Sequence, residues 1–416
     1  MRFRVWYASD VRVLHRFRYA PTYLHRVSSL SSRSQPGGDV GDVMGSSTRQ
    51  GGVSRLLSRS VVDLLPFPRR SGAFLAIDIG SSCVKLLETD GPAGSIRLLA
   101  AGIAPLPPTA VQNHLIQDPF VVAQTIRDLV RQTGARAKQV ITAVPGPAVI
   151  IKKITLSAGG DEANLEQQVM VEAGNAIPEH LDNVTLDYQV IGYNEREELI
   201  VLLAAVKKDI VNSYTSVIRD AGLLPEIVDV DYFALENMFE LNHEVDETQV
   251  IGLVNVGARY CSINILRAGR SSFTGDIPVG GTEFTDVLMR NLGVSADEAE
   301  RLKAGGTARD ISREQVEAAI VPAVQFLVEE IHRALSFYWR SDAEEPLSTV
   351  YLSGGTARAH GLAGMLSERL ETPVEIADPL ARVTLGRSVD VDFVRANATS
   401  LAVTVGLATR RPGDKT

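Results

Sequence analysis

Two stretches of the chain, LAIDIGSSCVKLLE at residues 75–88 and IGLVNVGARYCSINIL at 251–266, repeat one pattern. Each is an apolar run that ends at a short polar residue, passes through a glycine turn and resumes as strand. Asp78 closes the first run, and Asn255 closes the second 177 residues later. A third run, STVYLS, leads into Gly354, Gly355 and Thr356 ahead of a helical pattern. Glycine, serine and alanine keep bulky side chains away from the backbone, so N–H groups can converge on an anion. One such turn is an ordinary hairpin in most proteins. Two related units plus a third turn are a far more specific set. They predict two similar halves facing each other across a cleft, each giving a hairpin to a polyphosphate. A carboxylate at Asp78 would repel phosphate unless a cation stood between them. Hydrated Mg²⁺ suits that place, because it keeps its waters and needs few carboxylates.

Around these turns the texture from Ala73 onward alternates strand and helix signals, which predicts α/β architecture with covered sheets. FLAIDIG and VKLLET form a hairpin, SIRLLAAGIAPLP adds a third strand, and QVITAVPG returns to the sheet. Between them DPFVVAQTIRDLVRQTG carries a helix's start and stop signals, with Asp118 as cap, Pro119 in the first turn and Gly134 as terminator. Residues 147–228 read as an inserted subdomain of strands and helices. PAVQFLVEEIHRALSFYWR repeats apolar residues at helical spacing, and SADEAERLK opens with a capping box of Ser295 and Glu298. The expected organisation is a basic leader at 1–72, one domain at 73–250 carrying the insertion, a second at 251–411, and a tail at 412–416.

Residues 1–70 hold twelve Arg, no Lys, four Asp and no Glu, a local charge of +8 that leaves −16 on the remainder of a chain whose total is −8. That balance gives no reason to expect nucleic-acid binding by the folded part. The leader has the composition of a transit peptide, an over-extended start or a disordered segment. VSRLLSRSVVDLLPFPRR reads as a basic amphipathic anchor or as a linker ending at its prolines. No run of 18 apolar residues predicts a membrane span. Cys83 and Cys261 are the two cysteines, too few for a disulfide-built secreted domain. Each follows a glycine turn, and the reading weighs a redox pair against two small hairpin residues. Glu236 is weighed as a base near a phosphate against a capping or surface role. No HExxH or CxxC predicts zinc, and no GxSxG surrounds Ser81 and Ser82.

A family resemblance enters on these motifs. Asp78 to Ser82 with Lys85 resembles the first phosphate motif of the actin, Hsp70 and sugar-kinase superfamily. Asn255, Val256, Gly257 and Ala258 resemble the second, and Leu352 to Thr356 resembles the adenosine motif. Together with VDVDYFALE, VGGTEF, AERLK and YLSGGTARAHGL, the stretch from about Ala73 to Arg411 resembles the PilM family, actin-like proteins of type IV pilus assembly similar to FtsA.

The resemblance implies an actin-like ATPase, ribonuclease H-like fold: two domains around a nucleotide cleft with an FtsA-type inserted subdomain. It implies ATP with Mg²⁺, the ion held by Asp78 through water. Gly80, Ser81 and Ser82 would give amides to the β- and γ-phosphates, with Lys85 beside them. Gly257 and Ala258 would form the second wall; Gly280, Gly281 and Thr282 would border ribose and phosphates. Lys303 would lie near the adenosine, and Gly354, Gly355 and Thr356 would contact its purine and ribose side.

At Asn255 the superfamily usually has Asp, which prepares the attacking water. An amide cannot accept that proton, so at most a weak ATPase is expected. The implied partners are the N-terminal cytoplasmic segment of a PilN-type inner-membrane protein, docked near the insertion, and other pilus assembly proteins. The implied place is the cytoplasmic face of the inner membrane. A small-molecule kinase of the superfamily and the scaffold of type II secretion stand as alternatives; for the kinase no catalytic Asp stands out.

Overall fold

The structure, a computed structural model, describes Arg12, Val13 and residues 72–411 apart from 93, 160, 161, 304, 309 and 342–344. The leader and tail expected at 1–72 and 412–416 otherwise lie outside the described residues.

Apolar runs without alternation need both faces of a sheet covered, and the two main sheets are built from such runs. The first begins with an antiparallel meander, β1 (Phe74–Ile79), β2 (Cys83–Asp90) and β3 (Arg97–Pro105). Helix α1 (Pro119–Thr133) follows. Asp118 accepts from the Val121 amide at its start, and Gly134 ends it at φ 68°. Strand β4 (Gln139–Val144) then pairs parallel with β1.

Next comes a separate three-stranded antiparallel sheet. Its strands are β5 (Val149–Leu156), β6 (Val184–Tyr193) and β7 (Leu199–Lys207), with β7 central, and α2 (Glu162–Ala176) lies between β5 and β6 in sequence. Leu156, Val169, Ala173, Ile177, Val201 and Leu203 give this unit its own core. It ends earlier than the 147–228 expected from sequence. Helix α3 (Lys208–Asp220) buries Val211, Tyr214, Val217 and Ile218, and β8 (Leu224–Val230) pairs parallel with β4 in the first sheet.

Helix α4 (Asp231–Asn242) has no polar face: nearly every residue in it is buried. A helix buried all round lies inside the molecule, and α4 runs between the two main sheets. The second sheet then repeats the first. A meander of β9 (Val250–Val256), β10 (Cys261–Arg267) and β11 (Arg270–Ile277) is followed by α5 (Gly281–Leu292), α6 (Ala296–Lys303) and the long α7 (Arg313–Ser341). Strand β12 (Thr349–Ser353), α8 (Leu362–Leu370) and β13 (Val374–Ile376) complete it, with β12 parallel to β9 and β13 parallel to β12. Strand order is β3, β2, β1, β4, β8 in the first sheet, with the short Thr384–Leu385 beyond β3 and Arg12–Val13 beyond β8, and β11, β10, β9, β12, β13 in the second. The two lobes expected from the repeated hairpins are thus topological copies.

After β13 the chain does not stay in the second lobe, as the division at 251–411 assumed. Thr384–Leu385 pairs parallel with β3, and α9 (Val391–Ala396) leads to α10 (Ala402–Ala408), every residue of which is buried. Like α4, it is covered on every side. It lies against α4 and shares a core with Ala76, Leu87, Ile227, Leu253 and Leu266, so this core draws on both sheets. Among the described residues no helix is long and apolar enough to cross a membrane.

Candidate functional site

In the first lobe the hairpin register places Asp78 directly opposite Lys85. Opposed residues of an antiparallel pair have neighbouring Cβ atoms, so the Lys85 Nζ reaches the Asp78 Oδ2 and donates to it at 2.7 Å. Burial alone would lower the Lys85 ammonium, but Asp78, with Cys83 and Asp231 behind it, outweighs burial and holds it above its ordinary value. The Gly80 amide closes the turn on the Cys83 carbonyl at 3.0 Å, while the amides of Ser81 and Ser82 make no backbone hydrogen bond among the described residues.

The second lobe builds the same turn. Asn255 pairs with Ser262 in the register, and the Gly257 amide closes on the Tyr260 carbonyl at 3.1 Å. Where Asp78 meets a lysine, Asn255 accepts from the Ser353 hydroxyl at 3.3 Å. The start of α5 folds onto this turn. The Gly281 and Thr282 amides donate to the carbonyls of Gly257 and Ala258, each at 2.8 Å, and the Thr282 hydroxyl also reaches the Ala258 carbonyl. Gly280 must lack a side chain, because a Cβ there would sit 2.6 Å from the Gly257 oxygen. A Cβ on Gly281 would sit 2.2 Å from the Thr356 hydroxyl, which shows how closely the third turn approaches.

That third turn is pinned by Gly354, at φ +95°, whose amide donates to the Thr399 carbonyl at 2.8 Å. Lys303 completes the group. Its Nζ donates to the Gly281 carbonyl at 3.1 Å, the Thr285 hydroxyl at 2.9 Å and Glu300 at 2.7 Å. Asn255, Gly257, Ala258, Gly280, Gly281, Thr282, Lys303, Gly354 and Thr356 are thus linked in the second lobe, with Gly355 between the last two in sequence. Asp78, Gly80, Ser81, Ser82 and Lys85 share the first hairpin of the first lobe.

Two residues that sequence reasoning passed over lie beside these turns. Asp231 stands at the junction of β8 and α4, and its carboxylate accepts from the Gly146 amide at 2.7 Å and from the Tyr260 hydroxyl at 2.9 Å. Burial, and then the charges of Asp276 and Asp78, push its carboxyl up to about 7 against the pull of those two hydrogen bonds. Tyr260 belongs to the second glycine turn, so that turn is tied to the first lobe. The Tyr260 ring also meets His114 edge-on with centroids 4.8 Å apart, and neighbouring Arg259 donates to the Pro108 carbonyl. The available signal was the one that singled out Asp78: an acid ending an apolar run, here in VDVDYF.

Glu236 does not have the surface role weighed for it. It is buried within α4, where burial above all raises its carboxyl, and it engages Asn264 and the Ser271 backbone of the second sheet. It lies five residues, about 7.5 Å of helix, beyond Asp231. Both thiols are free; Cys261 is buried with its Sγ on the Val279 carbonyl, and Cys83 is half-buried.

Residues 76–412 match the family model described as type IV pilus assembly protein PilM. The chain is similar to a solved PilM–PilN type IV pilus biogenesis complex, with 26% identity and a TM-score of 0.69, covering 82% of this chain and 98% of that one. It is also similar to the cell division protein FtsA of Bacillus subtilis (strain 168), 22% identical over 351 residues, 74% of this chain and 78% of the relative. The ethanolamine utilization protein EutJ from Carboxydothermus hydrogenoformans shares the fold alone, at 18% identity and a TM-score of 0.50 over 84% of this chain and 93% of its own. The fold is the actin-like ATPase fold.

Proposed function

The chain belongs to the PilM family of type IV pilus assembly proteins, and on that footing we propose that it is an ATP-binding scaffold that turns its nucleotide over slowly or not at all. The observation that carries this reading is the joining of the second and third glycine turns with the start of α5, at close approaches that a single methyl group would fill, beside a first turn of the same build whose Ser81 and Ser82 amides have no backbone partner. In this reading the free amides of Ser81 and Ser82 take the terminal phosphates, as backbone nests do. The turn of Gly257 and Ala258 faces them, and Gly280 to Thr282 border the ribose. Gly354 to Thr356 flank the adenosine, with Lys303, bonded to the Gly281 carbonyl and Thr285 hydroxyl of α5, near it. Among the described residues no three ligand-type side chains cluster, so a Mg²⁺ would bring phosphate and water ligands with it and touch Asp78 through water. Bound there, the ion would neutralise phosphate charge and free Lys85 to share its charge with the nucleotide.

Asn255 supports slow turnover. Its amide, held by Ser353, neither takes a proton from water nor balances metal charge. The partner proposed is the N-terminal cytoplasmic segment of a PilN-type membrane protein, docked beside the three-stranded sheet, with other pilus assembly proteins around it at the inner membrane. The solved relative, a PilM–PilN complex, supports that partner.

Calorimetric titration with MgATP tests the reading. Native protein binds, Asp78→Ala binds at least about tenfold more weakly, and a synthetic PilN-type peptide is retained on the native chain. Phosphate release by native protein stays near background, and Asn255→Asp raises it. Undiminished ATP binding by Asp78→Ala, or brisk release by native protein, overturns the assignments.

A further inference from the structure

The second glycine turn does two things at once. Its Gly257 and Ala258 carbonyls anchor α5, and its fourth residue, Tyr260, reaches out of the lobe to Asp231. Asp231 is buried and uses its other oxygen on the amide of Gly146. Gly146 lies in the Pro145–Gly146–Pro147 joint through which the chain leaves β4 and enters β5, the first strand of the inserted sheet. Two prolines fix φ on either side of that joint, and Gly146 is pressed onto the Tyr232 ring so closely that a Cβ would sit 2.1 Å from it. The joint therefore has little freedom of its own. A displacement of the Gly257 turn is passed by a short hydrogen bond to a buried carboxylate, and by a second to the root of the subdomain.

We propose that Tyr260, Asp231 and Gly146 form a strut that couples the glycine turn of the second lobe to the orientation of the inserted subdomain, so that a nucleotide held by the turn alters what that subdomain presents to a partner. Tyr260 and Asp231 are positioning residues in this device. The nucleotide part rests on the reading given above; the mechanical part stands on the two hydrogen bonds alone. Coupling of this kind is reciprocal: a partner seated on the subdomain shifts nucleotide affinity by the same factor.

Amide hydrogen exchange on the full chain separates the two parts. Tyr260→Phe removes one hydroxyl and leaves the ring against His114. In nucleotide-free protein it speeds exchange at Gly146 about tenfold, the scale of one lost hydrogen bond. In native protein MgATP slows exchange at Ser81, Ser82 and Ala258 and also across Gly146 to Leu156. In Tyr260→Phe it slows the first set and not the second. Asp231→Ala reproduces the loss, and adding Tyr260→Phe to it changes nothing further, as two members of one linkage require.

Unchanged Gly146 exchange in nucleotide-free Tyr260→Phe overturns the strut. So does transmission to Gly146–Leu156 in that variant equal to the native protein's, or additive effects in the double variant. Absence of MgATP protection at Ser81, Ser82 and Ala258 in native protein overturns the nucleotide reading instead, while the nucleotide-free comparison still decides the strut.

Discussion

Gly354 and Gly355 are adjacent, yet the structure assigns them opposite sensitivities. A Cβ added at Gly354 would lie 2.4 Å from the Val256 oxygen, 2.7 Å from its carbon and 2.8 Å from its nitrogen, all backbone atoms of β9 that cannot swing aside. Its φ of +95° adds strain for any L side chain. Backbone strain of this sort costs about 1–3 kcal/mol, and forcing atoms into a packed site costs about 1–3 kcal/mol more. Gly354→Ala should therefore lose about 2–6 kcal/mol, a large part of a typical total of about 5–15 kcal/mol. At Gly355 a Cβ would meet only the Ser400 hydroxyl at 3.5 Å, ordinary contact. Gly355→Ala should fold with a change within about 0.5 kcal/mol while weakening MgATP binding, since it adds a methyl to the turn proposed to flank the adenosine. Thermal melts by circular dichroism, paired with ATP titration, read both. For lobes of this size the Gly354→Ala transition should fall on the order of 10 °C. Equal melting of the two variants, or a Gly354→Ala protein as stable as the native one, would refute the steric argument.

Two further predictions follow from the titratable groups. The Asp231 carboxyl is held near 7, above the unfolded value of about 3.9. The native state keeps a proton there that the unfolded chain has lost, so this contribution is complete below about pH 4 and disappears as pH rises through about 7. Native protein should lose stability relative to Asp231→Asn across that window, by up to about 4 kcal/mol, with Asp276, Asp78 and Lys85 facing the site in both proteins; melts from pH 4 to 8 that keep a constant difference contradict it. Cys83 is half-buried, whereas Cys261 is buried and burial pushes its thiol up. A thiol reagent should label one cysteine per native chain and two in urea, and MgATP should protect Cys83 beside the first turn. Rapid labelling of Cys261 in native protein speaks against its packing.

The lobes were legible in the sequence because their hairpins are local. Asp78, Gly80 and Lys85 lie within eight residues, as do Asn255, Gly257 and Ala258, and apolar runs broken by glycine announce both. The turns, the Asp118 cap and the Ser295 capping box, whose hydroxyl accepts from the Glu298 amide, are short-range events of the same kind. What escaped reading was made by distance. Asp231 and Tyr260 meet only because the second lobe closes on the first, and nothing in either local pattern states that pairing. Helix α4 hid Glu236 for a related reason: a helix covered on all sides has no polar stripe, so no residue in it advertises its direction. The return of the chain after Ile376 was equally silent, since Thr384–Leu385 is too short to read as strand and owes its place to β3.

One close approach sets the spacing of the two inner helices. At Gly406 of α10 a Cβ would fall 1.7 Å from the Ala234 carbonyl of α4, so backbone rests on backbone with no side chain between. Around that crossing the side chains of both helices interlock in one buried cluster. A single methyl group at residue 406 would therefore have to drive two whole helices apart, and with them the core that both lobes share.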